Sequence, residues 1–193
     1  IGSSAVKAIE LKKSGRGFKV TAIGVEPVPP DSIVDGAIID AGAVTDAVRR
    51  LLGNARFKAK DVVASLSGSS VIVKKINLPV MSEADLADSI QWEAEQYIPF
   101  DIKDVNVDAQ IINSKAGQGQ MDVMMVAAKK DVVNEYVSVA AEAGLTTEVV
   151  DVAIFAALNM FEANYTIPAD QTVALLNIGS NQINVGIMAG GAI

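Results

Sequence analysis

The sequence predicts an α/β protein in which one sheet-and-helix unit is interrupted by a smaller αβ unit, and three observations carry that prediction. Strand-like alternation at 5–13 and 18–25 meets at Gly15-Arg16-Gly17, and a helical stripe then leads to an apolar strand at 61–68. A second run of strand, helix, two strands, helix and strand begins at Val71. An apolar strand that breaks at Gly-Ser occurs twice, at Ile1-Gly2-Ser3-Ser4 and at Ile178-Gly179-Ser180-Asn181.

In the first hairpin Phe18, Val20, Ala22 and Val25 face one way. Pro27, Pro29 and Pro30 end its second strand, and residues 32–40, marked by Asp35-Gly36, read as a third, shorter strand of an antiparallel meander. Val44, Ala47, Val48, Leu51 and Leu52 recur at i, i+3, i+4, i+7 and i+8, the stripe of a helix that Gly53 is expected to close. The apolar strand at 61–68 then reads as buried, with a parallel partner reached through the helix.

The inserted unit opens with a strand at 71–78 ended by Pro79. Ser82 and Asp85 resemble a capping box for a helix expected to run to Ile98, where Pro99 stops it. Residues 105–112 and 121–128 form a hairpin across Ala116-Gly117-Gln118-Gly119, and a second helix spans 131–143 with Gly144 after it. Residues 145–152 are a returning strand, 153–162 an apolar helix, and 172–188 a final hairpin. The abrupt apolar start at Ile1 and end at Ile193 read as those of a piece of a longer protein.

Composition narrows the chemistry. The chain has no Cys and no His, which excludes disulfides, a thiol or imidazole nucleophile and the usual zinc ligands. A net charge of −7, with basic residues only in pairs such as Lys12-Lys13 and Lys129-Lys130, argues against nucleic acid as a partner. No run approaches the ~18 to 20 apolar residues of a membrane span, so direct membrane insertion is not expected. The acids Glu83, Asp85, Asp88, Glu93 and Glu95 read as the solvated face of one helix, and no catalytic residue is assigned. Glu148 and Asp151 flank the returning strand, where acids ordinarily end strands, and the sequon at Asn164 is read as accidental.

A Gly-Ser turn alone is ordinary hairpin chemistry, but two on similar strands suggest two phosphate-binding turns with one nucleotide between them. Gly2 and Gly179 would let backbone approach the ligand, Ser3, Ser4 and Ser180 would donate, and Lys7 would add a compact charge. Residues 96–100 place two aromatics and a proline at a helix end, a pattern shared by core packing and by a groove for an apolar peptide.

Ile1 to Leu11, Val71-Ile72-Val73-Lys74-Lys75-Ile76-Asn77-Leu78-Pro79, Glu95-Gln96-Tyr97-Ile98-Pro99-Phe100, Val126-Ala127-Ala128-Lys129-Lys130 and Val149-Val150-Asp151-Val152 together resemble the PilM family, actin-like proteins of type IV pilus assembly. The Glu-Gln-Tyr-Ile-Pro-Phe run is the most specific, while the Gly-Ser turns are common to the actin, Hsp70 and sugar-kinase superfamily that includes FtsA. The resemblance implies an actin-like (RNase-H-like) subdomain 1A at 1–70 and 147–193 with an inserted subdomain 1C at 71–146, the second half of the fold being absent. It implies ATP with Mg²⁺ as cofactors, held by Gly2, Ser3, Ser4 and Lys7 and by Asn177, Gly179, Ser180 and Asn181. It also implies a groove for the N-terminal tail of PilN at Val73, Ile76, Gln96, Tyr97, Ile98 and Phe100, with PilO, PilP and more remotely the pilus motor ATPases and platform protein as further partners. The expected location is cytoplasmic, peripheral to the bacterial inner membrane. The superfamily's Mg²⁺-positioning Asp is replaced by Asn177, and the helix from Ala153 has no Gln at the place of actin's water-orienting residue, so at most slow hydrolysis is expected. An FtsA-like membrane-tethered division protein and a sugar-kinase-type enzyme are the alternatives.

Overall fold

A computed structural model describes residues 1–168 and 170–189, which fall into two compact units: Ile1–Gly68 with Asn134–Ile193, and Ser69–Val133. The compact inserted unit ends at Val133, short of the expected 146, so the helix expected to close the insertion groups with the first unit from Asn134 onward.

In the first unit β1 (Ala5–Ser14) and β2 (Gly17–Pro27) form an antiparallel hairpin whose register slips between Glu10 and Leu11. Thr21 is the extra residue, and its hydroxyl donates to the Glu10 carboxylate at 2.7 Å. Helix α1 (Ala41–Asn54) is capped by Asp40, which accepts from the Ala43 N–H at 2.9 Å. Its buried face is Val44, Thr45, Ala47, Val48 and Leu51. The helix crosses β2 at Gly24, where a Cβ would lie 2.7 Å from Leu51. Gly53 does not end the helix, which runs one residue further and closes through the Ala55 N–H on the Leu51 carbonyl.

The third strand expected at 32–40 is instead a miniature hairpin, β3 (Ile33–Val34) and β4 (Ala37–Ile38). Asp35 and Gly36, at φ 49° and 84°, turn the chain too tightly for one continuous strand. Strand β5 (Asp61–Leu66) has its parallel partner in β9 (Thr146–Val152), reached only after the whole second unit and helix α3 (Lys130–Glu142). It is not the buried strand expected, for only Leu66 is buried and Val63 is exposed. After α3, Gly144 at φ 81° lets the Leu145 N–H reach back to the Ala140 carbonyl, the Schellman ending that the glycine predicts. Helix α4 (Ala153–Asn164) lays Leu158 and Ile154 on Gly186 of the last hairpin, β10 (Thr172–Ile178) and β11 (Ile183–Ala189).

The second unit is a three-stranded antiparallel sheet with β8 (Gln120–Lys129) between β6 (Val71–Pro79) and β7 (Val105–Gly117). Alternate residues Met121, Val123, Met125 and Ala127 of β8 are buried in one core with Leu86, Ile90 and Ala94 of α2 (Glu83–Ala94). The Ser82–Asp85 capping box is present as expected, but α2 ends at Ala94 and not at Ile98. Ile98 precedes Pro99, which disfavours helical backbone at that position. A short 3₁₀ turn, Ile102–Asp104, leads into β7.

Candidate nucleotide and peptide sites

Both Gly-Ser segments lie in the first unit and are built alike. The Gly2 N–H donates to the Ala5 carbonyl at 3.1 Å, and the Gly179 N–H donates to the Gln182 carbonyl at 2.9 Å. Each therefore makes the same four-residue closure, the first directly before β1 and the second between β10 and β11. Among the described residues the N–H groups of Ser3, Ser4, Ser180 and Asn181 enter no hydrogen bond, so four donors remain for an external acceptor. Neither glycine has a positive φ, and a Cβ would meet the carbonyl three residues on, at 3.4 Å for Gly2 and 3.0 Å for Gly179. The closing geometry is thus more demanding at the second turn.

Lys7 projects from β1 opposite Val25 and is exposed. It forms no ion pair with Glu10, whose carboxylate instead accepts from the Lys58 N–H at 2.6 Å and the Ala59 N–H at 2.9 Å. These donors, Ala59 first, with the Thr21 hydroxyl, lower the Glu10 pKa to about 2. Asn177 sits near the end of β10 opposite Asn184 and is exposed. Among the described residues no group of three His, Cys, Asp or Glu gathers to hold a metal.

The residues expected in a peptide groove divide. Ile76 and Ile98 do not line a groove but belong to the core of the second unit, 3 % and 7 % exposed, Ile76 from β6 and Ile98 from the turn after α2. Tyr97 and Phe100 pack on that core but stay partly open, Gln96 is exposed, and Val73 is exposed on β6. Strand β6 is an edge strand, hydrogen-bonded to β8 on one side only among the described residues. Two lysines that periodicity does not single out complete the surface. The Lys74 ammonium lies 5.1 Å from the Tyr97 ring centre, and that of Lys129 lies 4.4 Å from Phe100. Phe100 and Lys129 line an open cavity of about 530 Å³ with Pro99, Asp101, Lys103 and Asp131. Trp92 is 77 % exposed on α2.

A mixed α/β unit carrying two matched Gly-Ser turns and interrupted by a small sheet-and-helix unit has the actin-like fold. The sequence profile described as Type IV pilus assembly protein PilM matches residues 1–193, and the chain belongs to that family. A solved structure titled "PilM-PilN type IV pilus biogenesis complex" superposes with a TM-score of 0.88 at 31 % identity, over all of this chain and 57 % of the matched one. The chain thus spans little more than half the length of that relative. The cytoplasmic domain of EpsL, an inner membrane component of the type II secretion system of Vibrio cholerae, matches 96 % of this chain and 66 % of its own at a TM-score of 0.55 and 16 % identity, a likeness of fold alone.

Proposed function

We propose that this chain serves type IV pilus assembly as an ATP-binding adaptor that captures the N-terminal tail of PilN. The observation that carries the nucleotide part is the shared closure of the two Gly-Ser turns, which leaves four backbone N–H groups and the hydroxyls of Ser3, Ser4 and Ser180 available to phosphate oxygens. Lys7, exposed and without a carboxylate partner among the described residues, supplies a cation beside the first turn. Titration of full-length protein with a fluorescent ATP analogue tests this. Lys7→Ala is expected to weaken binding at least tenfold, since a charge-assisted contact contributes roughly 1.5 to 3 kcal/mol. An affinity within twofold of wild type removes Lys7 from the site.

The peptide part is supported by a PilN complex in a relative 31 % identical and by the open edge of β6 beside Tyr97 and Phe100. An extended tail adding to that edge would form backbone hydrogen bonds along β6 while its apolar side chains meet the aromatics. Because Tyr97 also supports the core, Val73 is the cleaner test. Val73→Lys is expected to weaken a PilN-tail peptide several-fold in calorimetry without lowering the melting temperature. Unchanged peptide binding excludes β6 as the receiving edge. Through PilN the adaptor would sit at the cytoplasmic face of the inner membrane; no helix among the described residues is long and apolar enough to cross it.

A further inference from the structure

Gln182 is the fourth residue of the second Gly-Ser turn, and its two ends do different things. Its backbone carbonyl closes the turn by accepting from Gly179, whereas its side chain leaves the turn and reaches the end of β5. There the Ser67 hydroxyl donates to Gln182 Oε1 at 3.0 Å, across 115 residues of sequence. The amide nitrogen packs directly on Gly68, where a Cβ would collide with it, and lies 3.6 Å from the Cβ position of Gly36.

Those two glycines are themselves interlocked. Gly36 and Gly68 have φ of 84° and 91°, and a Cβ on either would lie under 3.0 Å from the other segment's backbone, 2.7 Å from the Ser67 carbonyl or 2.9 Å from that of Asp35. The Gly36 carbonyl accepts in turn from the buried Tyr136 hydroxyl at 2.9 Å. The position of this junction along the chain is what matters. Ser67 and Gly68 are the last residues before the second unit begins at Ser69, and Tyr136 comes just after that unit ends at Val133. Both crossings into the inserted unit are therefore tied to one cluster, and the side chain that ties the second turn to it is Gln182.

We infer that Gln182 is a positioning residue that couples a phosphate bound at the 179–182 turn to both crossings into the inserted unit, a reading that rests on nucleotide binding at that turn. Phosphate on the Ser180 and Asn181 N–H groups fixes the turn. A fixed turn holds the Gln182 amide against Ser67 and Gly68, and Gly36 passes the restraint to Tyr136. By reciprocity, whatever orders the crossings strengthens nucleotide binding by the same factor. The coupling needs no large movement, only fewer conformations at three adjoining backbones.

Hydrogen exchange of the full-length protein with and without Mg-ATP tests this. In wild type, Mg-ATP is expected to slow exchange about fivefold or more in segments 178–183, 66–70 and 134–138. In Gln182→Ala, the slowing at 178–183 should persist while that at 66–70 and 134–138 disappears. Ser67→Ala, which removes the same hydrogen bond with a smaller change, should behave alike and serves if Gln182→Ala does not fold. Slowing at the crossings that survives in both variants, or that is missing in wild type while 178–183 is protected, overturns the coupling. No protection at 178–183 in wild type overturns nucleotide binding at the turn, and the coupling with it.

Discussion

Glu10 shows how one carboxylate fastens distant backbone. Two N–H groups beyond α1 and the hydroxyl at the bulge of β2 converge on it, and its pKa falls from its ordinary 4.5 to about 2. A carboxylate depressed by folding stabilises the folded state fully above its unfolded pKa and loses that contribution as pH falls through its folded one. Stability should therefore decline between about pH 4.5 and 2, and Glu10→Gln should flatten this acid limb in urea midpoints measured across the range. The two turn glycines make a second comparison. The tighter closure at Gly179 predicts a loss on the order of 1 kcal/mol for Gly179→Ala and a change within about 0.5 kcal/mol for Gly2→Ala, measured by urea unfolding. On the proposed nucleotide reading, the Asn177 amide can neither act as a base nor supply charge beside the turn. Phosphate release by the full-length protein should therefore be far below the ~10 s⁻¹ of a median enzyme, and Asn177→Asp should raise it.

Helix α2 shows which forces hold an element in place. Its capping box has the Ser82 hydroxyl accepting from the Asp85 N–H at 3.1 Å, and the Asp85 carboxylate accepting from the Ser82 backbone N–H at 3.4 Å. Ser82→Ala should cost about 1 kcal/mol. Leu86, buried at 3 % exposure against the sheet, should cost two to five times as much when truncated to Ala, because a cavity adds to the lost transfer energy. Urea unfolding of the two variants ranks packing against capping directly. On the sheet's other face Lys75 pairs with Asp122 at 2.8 Å, and Asn77 donates to the same carboxylate. The Lys75 ammonium, hydrogen-bonded to that carboxylate, lowers the Asp122 pKa.

At the scale of the molecule, the inserted unit has the marks of an independent folding unit. Its sheet and α2 enclose one core, and its ends meet where Val71 pairs with Ala128 and the Lys129 N–H donates to the Ser70 carbonyl at 3.1 Å. An insertion whose ends adjoin can leave its host without untying either. The excised segment 69–133 should melt cooperatively in a calorimeter, and a broad, non-cooperative transition would show that its host completes its core. The first unit differs, for Ile9, Phe18, Ile23 and Val25 of β1 and β2 are all more than half exposed.

Local patterns determined much of this. The stripe of α1, the capping box of α2, the Schellman ending after α3 and the alternation of β6 to β8 depend on residues a few positions apart, so their physics is written in adjacent letters. The paired Gly-Ser turns were legible for the same reason, as each closes within four residues. Tertiary structure decided what depends on distant partners. It split 32–40 into a miniature hairpin, gave β5 its parallel partner β9, grouped α3 from Asn134 onward with the first unit and drew Ile76 and Ile98 into a core. Gln182 is the sharpest case. Its contacts with Ser67, Gly68 and Gly36 span more than 110 residues, and no periodicity or spacing encodes a meeting that exists only once the chain has closed on itself.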